Sequence, residues 1–218
     1  MDDTSPTARV ALQPDLALAV EKYRKHAAGY DATAQRTMAM RRRVIEMLGL
    51  RAGETVLDVA CGTGLSLPLL RQAVGPAGRV IGVELSPEMI ERARGRVAGA
   101  GWNNVTLIES SMEDADLGAP FDAALFNYTH DVLQSPRALE RIFSQARPGA
   151  RVAIAGIKHA SRWLVPLRLY RLLKARPYVT TFSGLDRPWH LIEGFVPGLQ
   201  VTPAMLGTNY FAHGSVRG

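Results

Sequence analysis

The chain has 218 residues, 47% of them apolar, which suits one domain of ordinary to large size with a sizeable core. Its single cysteine excludes an internal disulfide, and no His, Cys, Asp or Glu group has metal-ligand spacing, so no metal is expected. No apolar run reaches the roughly eighteen residues of a membrane span, and the acidic, polar start MDDTSPTARV is unlike a signal or transit peptide, so a cytoplasmic setting is the default expectation.

The net charge is +6, and the excess is concentrated. Between Arg141 and Leu185 there is no acidic residue, while basic residues recur from Arg141 to Arg176. Such a block fits nucleic acid, an anionic membrane surface or an acidic substrate, and equally a plain solvated face.

In chain order, DLALAVEKY and ATAQRTMAMRRRVIEML read as helices, the second ended by Gly49. A regular alternation follows. ETVLDVA is a strand, LSLPLLRQAV a helix and RVIGVEL a strand. SPEMIERARGRVAG is a helix capped by Ser86 with Pro87 at its first position. NVTLIES and FDAALFNY are strands, SPRALERIFSQAR a helix and ARVAIAGI a strand. WLVPLRLYRLLKARP reads as a helix starting near Pro166. LQVTPAMLGTNYFAHGSV reads as two strands turning around Met205 to Gly207, too close to pair other than antiparallel.

Short apolar strands alternating with helices give an α/β fold with a doubly wound, mostly parallel sheet. Right-handed crossovers bring the strand C-terminal ends to one edge, where such sheets bind ligands. Asp58, Glu84, Ser110 and Asn127 emerge there.

The stretch VLDVACGTGLS, Val56 to Ser66, carries a Gly-rich turn between strand and helix, which lets backbone approach a ligand closely. Leu67 stands where a dinucleotide fingerprint wants its third glycine, and the loop has no lysine for a phosphate loop. Asp58 just ahead of the glycines disfavours a pyrophosphate and suits a cation. Glu84, 20 residues beyond Gly64, is spaced for ribose hydroxyls. A ribose without phosphate beside a cationic portion describes S-adenosyl-L-methionine. The alternative is that Asp58 and Glu84 are ordinary polar strand ends.

With VLDVACGTG, VIGVELSPEMIERAR, FDAALFNYTHDVL, ARPGARVAIAG and the antiparallel ending, the chain resembles class I S-adenosylmethionine-dependent methyltransferases over roughly Tyr30 to Phe211. GYD at Gly29 to Asp31 resembles their quinone C-methyltransferase and phospholipid N-methyltransferase branch. The resemblance implies a Rossmann-like, seven-stranded sheet with an antiparallel C-terminal hairpin and N-terminal helices. It divides the chain into a helical cap over 1–50 and a methyltransferase domain over 51–218, with a lid-like insert around 159–190. It also implies site roles. Asp58 would support the loop and the methionine amino group. Ala60, Gly62 and Gly64 would pass beneath the cofactor, and Glu84 would hold both ribose hydroxyls. Leu85 and Met89 would pack on adenine. Ser111 stands where the family places an adenine-binding Asp, Met112 offers its backbone, and Asn127 lies beside the methionine end. Cys61 replaces a glycine as a small apolar filler.

Methyl transfer from a sulfonium needs alignment, desolvation and, for an acidic O–H or C–H acceptor, a base. His130 in NYTHDVL, directly after the fourth strand, is the candidate base, with Asp131 to orient it; the alternative is a capping role. By position Tyr128 is a second catalytic candidate and Tyr30 a cofactor-binding candidate, lining the methyl channel or touching the cofactor, and His159 and His190 are weaker cases. The partner expected is a small, lipophilic or aromatic methyl acceptor, covered by the apolar and basic insert, which also fits peripheral contact with an anionic membrane. Nucleic acid is disfavoured: NYTH stands where an RNA methyltransferase would carry Asn/Asp-Pro-Pro-Tyr. A cofactor-binding protein without catalysis is the third reading. The sequence leaves the oligomeric state open.

Overall fold

The computed structural model describes residues 14–22, 24, 31, 37–159 and 179–217. Helix α1 (residues 16–22) and α2 (Met38–Met47) precede the first strand, β1 (Thr55–Val59). Then come α3 (Leu67–Val74), β2 (Arg79–Glu84), α4 (Pro87–Gly99), β3 (Val105–Glu109) and β4 (Phe121–Asn127). The short α5 (His130–Leu133) and α6 (Pro136–Phe143) lead into β5 (Ala146–Ile157), followed by β6 (Gln200–Ala204) and β7 (Asn209–Ser215).

The strands form one seven-stranded sheet in the order β3-β2-β1-β4-β5-β7-β6, parallel except for β7, which runs antiparallel to both β5 and β6. The expected fold class, including the antiparallel hairpin, is what the chain adopts. Both faces of the central strands are covered, so the strands are apolar throughout rather than alternating. On β4, Ala123 and Leu125 join one core with Val44, Leu48 and Leu70 of α2 and α3. Ala124 and Phe126 join the other, with Leu139 and Ile142 of α6. The helix starts follow from the sequence: Ser86 Oγ accepts from Met89 N and Ser135 Oγ from Ala138 N, each with a proline just inside.

Two expectations need correction. The helix read as running to Arg147 ends at Phe143, and β5 begins at Ala146, earlier than the Ala150 expected. The reason is a register shift: Phe121 pairs with Ala146 but Ala123 with Arg151, so the residues between bulge out of the ladder. Three basic residues at the start of the basic block bind within the fold, while its residues from Arg162 to Arg176 lie outside the described residues. Arg141 Nε donates to Ala115 O at 2.7 Å, Arg147 pairs with Asp122, and Arg151 bonds both Glu54 and Leu48 O. These arginines tie elements together at the start of β5, away from the ligand edge. The helix expected near Pro166, most of the lid-like insert and Tyr30 lie outside the described residues. Among those described, no helix is long and apolar enough to cross a membrane.

Arg151 fastens the C-terminal end of α2 and the approach to β1 onto β5. Burial pushes the Glu54 carboxyl up, but the bonds from Arg151 and the Arg51 N–H outweigh it and hold the carboxyl below its ordinary range. A depressed carboxyl contributes stability that is present above its unfolded pKa and lost as pH falls through the folded one. Glu54→Gln should therefore cost about 1 kcal/mol at pH 7 in urea denaturation, and the difference from wild type should vanish in acid.

Candidate functional site

β1 and β4 are adjacent strands from which the chain departs in opposite directions across the sheet, the topological switch where doubly wound folds open a crevice. The loop after β1 turns through left-handed backbone at Ala60 (φ 48°), Gly62 (φ 59°) and Gly64 (φ 79°). At Gly64 a side chain is excluded, since a Cβ there would lie 2.6 Å from Leu67 Cδ1. At Gly62 the space a Cβ would enter is open, leaving room for a ligand over the backbone. Cys61 is the buried filler expected: its N–H continues the ladder to Val83 O, and burial, with the charges of Asp58 and Glu84, pushes its thiol well above the usual range.

Glu84 does more than present a carboxylate at the strand end. Its Oε2 accepts from Gly62 N at 2.9 Å and its Oε1 from Ser86 N at 2.8 Å, so it clips the glycine loop to the head of α4. A carboxylate has about four lone-pair sites, which leaves capacity for two hydroxyl donors. Burial raises the Glu84 carboxyl, and the backbone bonds counter this.

Asp58 is 1% exposed, and its Oδ2 has no hydrogen-bond partner. Burial pushes it up to about 7, against the pull of the Arg41 guanidinium and with a further push from Glu84. Arg41 is the residue that sequence reasoning missed. It is buried in α2, donates to Ser66 Oγ, and reaches Asn127. With the Asn127 amide oxygen turned toward it, that oxygen accepts from Arg41 Nη1 at 2.7 Å and Nη2 at 3.0 Å. A signal existed: Arg41 stands three, four and seven residues before Val44, Ile45 and Leu48, on the apolar stripe of its helix.

The strand ends open into a cleft of about 950 Å³, counted with the open space at its mouth. Ala60, Gly62 and Glu84 line its floor, and Leu85, Met89, Ser111 and Met112 one flank. Ser111 turns its hydroxyl to Asp114 Oδ2 at 2.8 Å. Asn127, Tyr128 and His130 line the other flank, and Leu16, Ala19 and Val20 of α1 contribute an apolar cover. Asp58 and Gly64 stand behind the lining. The cover is tied down at both ends: Asp15 N and Lys22 Nζ donate to Thr180 Oγ1 and Val179 O, and Arg24 Nε to Glu88 Oε1.

Tyr128 follows β4 with φ +61°, a backbone strain that an active-site edge tolerates. Its hydroxyl donates to Met40 Sδ at 3.1 Å and accepts from Asn209 Nδ2 at 3.2 Å. His130 lies 3.0 Å from Ser183 O through Nε2. A carbonyl only accepts, so Nε2 carries the proton and the neutral ring keeps its lone pair on Nδ1, which has no partner. Burial lowers the His130 pKa, though Asp131 and the Ser183 bond oppose this. Asp131 is not the orienter expected from sequence. Its Oδ2 accepts from Thr180 N and Oγ1 at 2.9 and 2.8 Å, so Ser183 orients the ring instead. His190 bonds Arg187 O through Nδ1 and is exposed, a structural arrangement.

A family model described as a methyltransferase domain matches residues 50–175, more than half of the chain. A demethylmenaquinone methyltransferase of Symbiobacterium thermophilum is 32% identical over 194 residues, 76% of each chain. A protein-L-isoaspartate O-methyltransferase of Ignicoccus hospitalis is 33% identical over 111 residues, and the chain spans only 51% of its length. The N-methyltransferase NodS of Bradyrhizobium japonicum, solved in complex with S-adenosyl-L-homocysteine, shares the fold with a TM-score of 0.61 at 13% identity, over 82% of this chain and 86% of its own.

The residues present fit S-adenosyl-L-methionine. Glu84 lines the cleft with acceptor capacity for ribose hydroxyls, and the Asp58 carboxyl and Arg41 guanidinium, buried behind the lining, supply charges of both signs for an amino-acid portion. Glu84→Ala should weaken S-adenosyl-L-homocysteine binding in calorimetry at least about thirtyfold, because it removes both the ligand's acceptor and the loop clip. Binding should also strengthen as pH rises through about 7, where Asp58 ionises, and Asp58→Asn should flatten that dependence.

Proposed function

The chain belongs to the class I S-adenosylmethionine-dependent methyltransferases, and from that membership we propose that it methylates a small, lipophilic or aromatic acceptor with His130 as general base. The observation that carries this is the His130 ring, which lines the cleft and is held by Ser183 O in the tautomer that leaves Nδ1 unprotonated and without a hydrogen-bond partner. The apolar cover from α1, with Val132 and Ala138 across from it, supports an acceptor with a greasy or ring-bearing body. The demethylmenaquinone methyltransferase relative supports a hydroxylated ring as the first class to try.

When bound, the cofactor supplies a methyl group already activated on a sulfonium. The chain's residues do the rest. Glu84 would hold the ribose hydroxyls, and the charges of Asp58 and Arg41, behind the lining, would complement the amino-acid portion. The segment ahead of β1 acts as a cap: α1 closes over the cleft and excludes water, which strengthens each of these contacts. His130 Nδ1 takes the proton from the acceptor as its nucleophilic atom attacks, leaving an imidazolium beside the Asp131 carboxylate. Tyr128, held by Met40 and Asn209, forms a rigid wall beside it.

The test is methyl transfer from S-adenosyl-L-methionine to a panel of quinols, phenols and amines, read by mass spectrometry. His130→Ala should lower turnover on the accepted compound by about 10²–10⁴ while S-adenosyl-L-homocysteine affinity stays within about twofold. The acidic limb of kcat/KM should fall below the ordinary imidazole range, since burial favours the neutral ring, and should disappear in the variant. Full turnover by His130→Ala would make the histidine structural.

A further inference from the structure

We propose that Asp31 is a positioning residue for the cofactor loop, acting through Thr63; this rests on the cofactor reading above. Thr63 stands between Gly62 and Gly64, both in left-handed backbone, and is 1% exposed. Its hydroxyl donates to Asp31 Oδ1 at 2.6 Å, and its carbonyl accepts from Arg96 Nε at 3.2 Å. Arg96 Nη2 closes the triangle on Asp31 Oδ2 at 3.0 Å. Three distant parts of the chain, ahead of α2, in the loop and on α4, thus meet at one residue between two glycines.

The reason for such a grip is conformational. Glycines flanking a single residue leave a free loop many backbone states, and ordering it costs conformational entropy at every residue. Glu84 already holds Gly62 N from the β2 side. Asp31 and Arg96 hold the next residue from the side of α4, so adjacent residues are fixed from two directions. Neither Asp31 nor Thr63 lines the cleft. Their effect on a ligand is therefore indirect: they set in advance the shape over which it lies, and without them the ligand must order the loop itself. The hydrogen bond to Thr63, whose residue is buried, carries more of this than the Arg96 pair, which is 31% and 36% exposed.

The experiment is calorimetry with S-adenosyl-L-homocysteine on the full chain. Asp31→Ala and Thr63→Val should each weaken binding about tenfold, and the double variant should be no weaker than either alone. Asp31→Asn, which still offers an oxygen to Thr63, should stay within about threefold of wild type. Amide hydrogen exchange of the ligand-free protein gives a second readout that needs no cofactor: Asp31→Ala should speed exchange at Gly62 to Gly64. Asp31→Ala within about twofold of wild type in affinity, or additive losses in the double variant, would overturn the proposal while leaving the cofactor reading intact. No binding by the wild type would overturn the cofactor reading, and this role for Asp31 with it.

Discussion

Two carboxylates, Asp58 and Glu84, are buried at the ends of adjacent parallel strands, and a buried guanidinium, Arg41, acts on Asp58. The rest of the site depends on that imbalance. Burying a charge without full compensation is costly, and the structure meets the cost unequally. Glu84 is compensated by two backbone N–H groups, so it can be a fixed part of the loop. Asp58 has one unpartnered oxygen and is lifted to about 7, so near neutrality its charge is poised to be fixed by an incoming cation. Arg41, spread over Ser66 and Asn127, offers the opposite sign a short distance away. On the cofactor reading proposed above, a ligand carrying an ammonium, a carboxylate and a ribose would complete what the protein alone leaves unbalanced. A pyrophosphate would add to the negative charge instead.

The acceptor side is coupled to the cofactor side through few atoms. His130 is oriented by Ser183, and its neighbour Asp131 holds Thr180, which in turn holds the start of α1. The other end of α1 is tied toward α4 by the pairing of Arg24 with Glu88. The cover over the cleft and the candidate base are therefore held by the same two short stretches, residues 130–131 and 180–183.

The sheet was legible in the sequence because its signals are local. Apolar runs of strand length, serine caps followed by proline, and paired glycines each depend on a few neighbouring residues. Asp58, Glu84 and Asn127 could be placed at one edge because right-handed crossovers leave little choice of topology. What stayed hidden depends on distant partners. The early start of β5 comes from a register shift against β4, which no property of Ala146 to Gly149 announces. The His130 tautomer is set by a carbonyl 53 residues away. Asp131, read as the orienter because it is adjacent, instead bonds Thr180. Arg41 was lost among three consecutive arginines, although only it lies on the buried stripe of α2. The arginines at the start of the acid-free block looked like a surface for a polyanion, yet Arg141, Arg147 and Arg151 bind the fold's own carbonyls and carboxylates.

The most direct measurement is a crystal structure of the protein with S-adenosyl-L-homocysteine. The expected result is ligand over Gly62, ribose hydroxyls on Glu84, and the amino-acid end held between Asp58 and Arg41. Ligand bound elsewhere, or a ribose that leaves Glu84 to its two backbone partners alone, would contradict the view that the buried charge imbalance at the ends of β1 and β2 is what the cofactor completes.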